Sequence, residues 1–428
     1  MKDMSAEVDW NAVEQELVLM LRTLVGIDTS YGRHGETVAA RFIQSLLSMN
    51  DLADQTQIFE PVPGKGSVVC RLPGQNADES LLLLSHLDVA PAHHTSEWLH
   101  PPFNGAYRHG EIWGRGTIDC KGLVAVWLML IILLKRNRIP LRRGVVFAAT
   151  SDEESGGKWG IDWILNNTAA LQGCRYVLNE GGGFSFHLKD QDVYTIQYAE
   201  KGHTIFEYIV EHPSLPFASQ EVLVPPLNGQ AIHPLMKASL RAGGLPEILT
   251  TPLSYRTKVF LLRHACRQLP LDINGLFHNL LRIDLPERFD HHHSVIKMHL
   301  RLLPGQSAED INRMIAAKGL IPASLIKATS VTTVTEPSCS SIDSSLFRII
   351  ESTMVRNSGH TNTMLPFLTP SATDSRYVRA KGMIAYGFFP TPPSTDIRLI
   401  HQPNERIPVN DLLFSLKKLY EIVTRFAG

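Results

Sequence analysis

Residues 81–91 read LLLLSHLDVAP, and residues 114–122 read GRGTIDCKG. Four leucines followed by a polar cluster describe a buried strand that delivers its C-terminal end to a site. In His86-x-Asp88 both side chains leave an extended backbone on the same side, because strand side chains alternate. Such a pair could hold a cation, or the carboxylate could orient the imidazole from behind.

Outward from this stretch, helix and strand patterns alternate. Apolar residues at helical spacing (Val13, Leu17, Met20, Leu24) predict an amphipathic helix over 7–24, and 36–49 reads likewise. Residues 67–72 and 79–84 read as strands around the turn-rich PGQNAD. Residues 120–135 read as a helix on the sheet, and GVVFAAT (144–150) as a buried strand ending at SDEESGG. A helix over 158–166 and a short strand at 176–178, running into NEGGG, complete an α/β pattern. The character changes near Tyr198. Strands at 204–210 and 295–303, a proline-punctuated stretch between them, and a helix opened by Ser307 predict an inserted smaller α+β domain over 199–329. The first domain, 1–198, then resumes over 330–428 with helices at 345–355 and 410–427 and a strand at 382–388.

Composition narrows the classes. The 428 residues are 44% hydrophobic and 19% charged, with a net charge of -1, so no field recruits nucleic acid or an anionic membrane. The N-terminus is polar and acidic, unlike a signal peptide, and the apolar run 123–134 is too short to span a bilayer. Cys70, Cys120, Cys174, Cys266 and Cys339 are scattered without CxxC spacing, which fits a reduced, cytoplasmic compartment and argues against thiolate ligation. The run His291–His293 reads as a loop, since consecutive residues cannot all face one ion.

Five polar clusters fall at apparent strand ends: His86-Leu87-Asp88, Asp119, Asp152-Glu153-Glu154, Asn179-Glu180 and His401. In an open α/β sheet such loops converge on a ligand. Two histidines with several carboxylates suit Zn²⁺, Mn²⁺ or Co²⁺ better than Mg²⁺. Adjacent glutamates point different ways, so one can bind metal while the other takes a proton from an activated water.

SHLDVAP, GRGTIDCKG, SDEESGG, TDSR (373–376) and IHQPNERI (400–407), in this order, resemble the M20 family of metallopeptidases and amidohydrolases, nearest its carboxypeptidase-S-like and N-acyl-amino-acid hydrolase members. The resemblance implies a zinc-peptidase-like catalytic domain with a mixed central sheet, a co-catalytic metal pair, and a lid domain over 199–329 that makes homo-oligomers. By motif it implies that His86 binds one metal, Asp119 bridges, Glu154 and His401 hold the other, and Glu153 is the general base. Asp88 would orient His86. Arg376 and, in LRLLPGQ, Arg301 would meet substrate, as would His212 of EHPSLP, although Glu211 replaces the glycine the family has before that histidine.

One departure bears on stoichiometry. The first position of the family's DEGG-like motif, expected to bind the metal shared with His86, is Asn179 here, followed by Glu180. A neutral amide is the weaker ligand, so either Glu180 substitutes or the second ion is weak or absent. The resemblance implies hydrolysis of a C–N bond in a small carboxylate-bearing substrate, such as the amide of an N-acyl amino acid or small peptide. A single labile metal would also suit hydrolytic deamination of an aromatic amino acid-like compound, as in the family's nitroanthranilate aminohydrolases. A non-catalytic metal- or ligand-binding protein is the reading of another class, and the retained ligand set argues against it.

Overall fold

The computed structural model describes residues 8–188, 191–211, 220–224, 279–284, 287–288, 293–317, 326–356 and 362–428. The chain divides into two compact units. The first holds 1–196, 343–364 and 377–428, and the second holds 197–342 and 365–376. The return from the second unit thus comes thirteen residues later than the expected 330, and a second short excursion follows it.

The first unit is built on a sheet in the order β1 (Thr56–Phe59), β2 (Ser67–Leu72), β6 (Arg143–Thr150), β3 (Asn76–His86), β7 (Cys174–Asn179), β18 (Ile384–Gly387) and β9 (Gln191–Glu200). β1 and β2 are antiparallel to their neighbours, whereas β6, β3, β7 and β18 run parallel. His86 pairs with Thr150 and Leu83 with Leu178, so these strands end together and their following loops meet. The pattern-poor hairpin β8 (Ser185–Leu188) with β9 has no counterpart in the sequence reading. A small sheet of β4 (Ala106–Arg108), β5 (Glu111–Trp113) and β19 (Arg406–Pro408) carries the GRG and HQPNE loops side by side.

Helix Lys121–Arg136 is apolar all round because it is buried all round, with Leu123 to Leu134 essentially without exposure. Trp127 donates its indole N–H to the Leu84 carbonyl at 3.1 Å, which fixes the helix over β3. Helices Trp10–Gly26 and Val409–Ala427 cover it with their apolar stripes. Asp9 caps the first of these by accepting from the amides of Asn11 and Ala12. Among the described residues no helix is long and apolar enough to cross a membrane.

The second unit has a sheet in the order β11 (Gln220–Val224), β12 (Asn279–Ile283), β14 (His293–Leu302), β10 (Gly202–Glu211) and β15 (Ile326–Thr335), with β13 (Glu287–Arg288) beside β14. β14 alternates strictly between buried and half-buried. Its buried side, with Phe206 and Tyr208 of β10, forms the unit's apolar core, and Tyr208 donates to Asn312 of helix Ala308–Ala317. Ser307 caps that helix as expected, accepting from the Asp310 amide and donating to its carboxylate. β16 (Ser338–Cys339) pairs with the end of β9, and β17 (Thr363–Thr369) also pairs β9. His212, Cys266, His291 and His292 lie outside the described residues.

Candidate metal centre and active site

β3 ends on His86, β6 leads into Asp152-Glu153-Glu154, and β7 leads into Glu180. The turn GRGTID brings Asp119 to the same edge. Gly116 in that turn has φ 89°, and a Cβ there would sit 2.6 Å from Val89 Cγ1, so only glycine passes. His401 and Asp152 also hold left-handed conformations, at φ 61° and 71°. Strain of this kind concentrates at functional sites.

Two donor groups result. His86, Asp119, Cys120 and Glu180 form one, and Asp119, Glu154 and His401 form the other, with the ligand atoms of each group within 4.8 Å of one another. His86 Nε2 lies 3.0 Å from Asp119 Oδ1 and 3.4 Å from Glu180 Oε2. His401 Nε2 lies 3.0 Å from Asp119 Oδ2 and 3.1 Å from Glu154 Oε1. Asp119 therefore offers one oxygen to each group, as a bridging carboxylate would. Partly buried carboxylates gathered this closely need cationic compensation, and the nitrogen and oxygen donors suit a borderline dication at each group. Cys120 is the softer donor, but burial pushes its thiol up, and it exchanges hydrogen bonds with the main chain of His86.

His86 Nδ1 lies 2.8 Å from the main-chain carbonyl of Asp88, which aims Nε2 at the donor group. The Asp88 carboxylate, 3.7 Å from Nδ1, does something more. It accepts the amide hydrogens of Glu153 and Glu154 at 3.0 and 2.9 Å. Sequence spacing could not show this, because the partners are backbone groups of the turn that follows another strand. Asp88 thus orients the imidazole and also anchors the turn carrying the paired glutamates. Glu154 enters a donor group, and Glu153 enters neither among the described residues.

Besides Asp119, the carboxylate near His86 is that of Glu180. Asn179 is the last residue of β7, buried, with its carbonyl accepting from Phe388 N at 2.7 Å. Arg301 and Arg376 belong to the second unit. Arg301 stands on the half-buried side of β14 opposite His203 of β10. Arg376 follows a loop pinned where Thr373 donates its amide and hydroxyl to Glu200. The sequence reading passed over Arg115 and Glu405, a buried ion pair at 2.7 Å beneath Asp119 and the His401 loop.

Without metal, protons stand in for cations. Burial pushes Glu180 up to about 8, and Asp119 adds to the rise. Hydrogen bonds to Asp119 and Glu154 raise His401 to about 10. Burial works against the His86 imidazolium, but the carboxylates of Glu180 and Asp119 outweigh it and raise the ring well above its ordinary value. Burial opposes the Asp119 carboxylate, but hydrogen bonds from His401 and His86 hold it well below the carboxylate range. Glu180 and His401 are therefore more basic folded than unfolded, so folding takes up protons. The metal-free protein should lose stability as pH rises, for Glu180 between 4.5 and about 8 and for His401 between 6.5 and about 10. Metal binding at neutral pH should release protons, because the His86 and His401 rings are raised in the metal-free protein. Unfolding temperatures of metal-free protein across that range, and proton release on titration with Zn²⁺, measure both. A melting temperature that climbs through the alkaline range would contradict the assignment.

The family model described as Peptidase family M20/M25/M40 matches residues 82–425. The chain belongs to this peptidase family. Carboxypeptidase S of Saccharomyces cerevisiae is 33% identical to it over 147 residues, 32% of this chain and 26% of that protein. An N-fatty-acyl-amino acid synthase/hydrolase of Xenopus tropicalis is 41% identical over 113 residues, 25% of this chain and 22% of that protein. The chain thus spans about a quarter of the length of these curated relatives. The crystal structure of an M20 family metallo-carboxypeptidase from Sulfolobus solfataricus matches with a TM-score of 0.65 and 19% identity, covering 96% of this chain and 98% of that one. This M20-family fold of a catalytic and a smaller unit is therefore shared nearly end to end.

Proposed function

We propose that this M20-family chain is a metal-dependent hydrolase that cleaves the amide C–N bond of an N-acyl amino acid or small peptide with a free carboxylate. The observation that carries this reading is the pair of donor groups sharing Asp119, with Glu153 anchored beside them and left out of both. His86, Asp119 and Glu180 would hold one divalent ion, and Asp119, Glu154 and His401 the other, with Zn²⁺, Mn²⁺ or Co²⁺ suiting the donors. When bound, such ions acidify water and polarise a carbonyl oxygen. Glu153 takes the proton of the attacking water and returns it to the leaving nitrogen. Asp88, through the two amides it holds, keeps Glu153 and Glu154 at fixed spacing. Arg301 and Arg376 offer guanidinium groups matched to a substrate carboxylate, and His212 is the further candidate for the developing oxyanion.

The relatives named for carboxypeptidase and fatty-acyl-amino acid chemistry favour the amide reading. The aminohydrolase alternative rested on a missing carboxylate at Asn179, and the Glu180 carboxylate 3.4 Å from His86 Nε2 weighs against it. A panel of N-acyl amino acids, dipeptides and aminobenzoates, assayed with Mn²⁺ and Zn²⁺, tests the proposal. Amide cleavage with a free α-carboxylate required is expected. Ammonia release from aminobenzoates without amide cleavage would overturn it.

The same reading extends to assembly through the second unit. β15 closes one edge of its sheet, and nearly every residue of the strand is exposed, including Val331 and Val334. An exposed ten-residue strand at the edge of the described sheet favours pairing with a second copy. Sedimentation should show a dimer at micromolar concentration, and replacing Val331 with proline should give monomers. A wild-type monomer under those conditions rules the interface out.

A further inference from the structure

Glu405 is fully buried, yet its carboxylate belongs to neither donor group. Its Oε1 accepts three amide hydrogens, from Gly116 at 3.0 Å, Ile118 at 2.9 Å and Asp119 at 3.3 Å. Its Oε2 takes Arg115 Nη1 at 2.7 Å, and its main-chain carbonyl takes the Gly114 amide at 2.9 Å. Arg115, equally buried, also donates to the carbonyls of Gln402 and Pro91, each at 3.4 Å. One carboxylate therefore gathers the N–H groups of the loop ending at Asp119, and one guanidinium reaches the loop beginning at His401 and the segment after Asp88. Asn404 adds to this, accepting from the Leu99 amide and donating to the Glu97 carbonyl.

Burying such a pair rarely adds net stability over an apolar replacement. Its geometric effect is clearer. Three N–H groups aimed at one point form an anion-binding concavity that relaxes without its anion. We propose that Glu405, with Arg115, is a positioning residue that locks the Asp119 loop to the His401 loop, so that Asp119 keeps one oxygen toward each donor group. This rests on the metal roles proposed for Asp119 and His401. Because both groups share Asp119, loosening the lock weakens both ions together, although neither Glu405 nor Arg115 touches them.

Glu405→Gln keeps the volume and one acceptor oxygen but sets an amide N–H₂ against Arg115. It should weaken metal binding by about 10–100-fold, the size typical of partners behind a metal ligand. In metal-free protein, amide exchange over 114–120 should speed up while exchange in helix Lys121–Arg136 stays unchanged. Adding Arg115→Met to Glu405→Gln removes the remaining reach to Gln402 and Pro91 and should weaken metal binding further, with faster exchange confined to the same loops. Unchanged affinity and unchanged exchange in Glu405→Gln overturn the proposal. If that variant fails to fold, Arg115→Lys replaces it: the charge pair stays, the reach to Gln402 and Pro91 goes, and weaker metal retention than wild type is expected. Equal retention in Arg115→Lys and wild type overturns it there. Metal titration of Asp119→Asn is the control. Undiminished binding in that variant would refute the metal assignment itself, while the exchange measurement still judges the lock.

Discussion

Glu153→Gln should lower kcat by ~10²–10⁴-fold, the usual worth of a general base, while metal content stays near wild type. The turn 153–155 presents two neighbouring glutamates, of which Glu154 enters the donor group with Asp119 and His401. The amide of Glu153 is held by Asp88 whether or not its side chain carries charge, so the substitution leaves the scaffold alone. What it removes is the acceptor for the proton of the attacking water. Glu154→Gln provides the contrast. That residue bonds His401 and also accepts the Ala90 amide, so its loss should reduce metal retention and activity together. The measurement is kcat at saturating metal beside elemental analysis of the same samples. A Glu153→Gln enzyme with more than half of wild-type kcat would remove Glu153 from the role.

The parts of this site legible in the sequence are those where chemistry and strand ends coincide. Apolar runs that stop at polar residues mark β3 and β6, because a strand buried on both faces must surrender its hydrophobic pattern where it reaches the site. That is enough to gather His86, Asp119, Glu154 and His401. Three things escaped. The choice between Asn179 and Glu180 depends on the residue at which β7 ends, and a one-residue difference exchanges the side facing the site. Strand β15, KATSVTTVT after Ile326, is exposed on both faces and so carries no alternation to read. The Arg115–Glu405 lock and the second task of Asp88 work through backbone amides, and backbone amides leave no residue signature in a sequence.

The purified protein should hold two divalent ions per chain after extensive dialysis. The motif position of Asn179 alone points the other way, toward one loosely held ion. The structure supplies what that position lacks. Three carboxylates, of Asp119, Glu154 and Glu180, face the two groups, against the two that would remain if a neutral amide were the ligand beside His86. One unit charge at ~4 Å from another is worth roughly 4 kcal/mol at an effective dielectric of 20, and a dication doubles the stake before solvent and relaxation return part of it. Glu180 already shows the strain of the metal-free state, since burial and Asp119 push it up to about 8. A cation in that position relieves that strain. Glu180→Gln should therefore leave about one ion per chain, and Asp119→Asn, which removes the charge and turns one of the two shared oxygens into an NH₂ group, should leave almost none and abolish activity. Asn179→Asp should add nothing, because that side chain is buried at the end of β7 and the carboxylate already present at Glu180 meets the need. Elemental analysis of the four proteins decides the matter. One ion in the wild type, rising to two in Asn179→Asp, would show that Asn179 and not Glu180 occupies the ligand position.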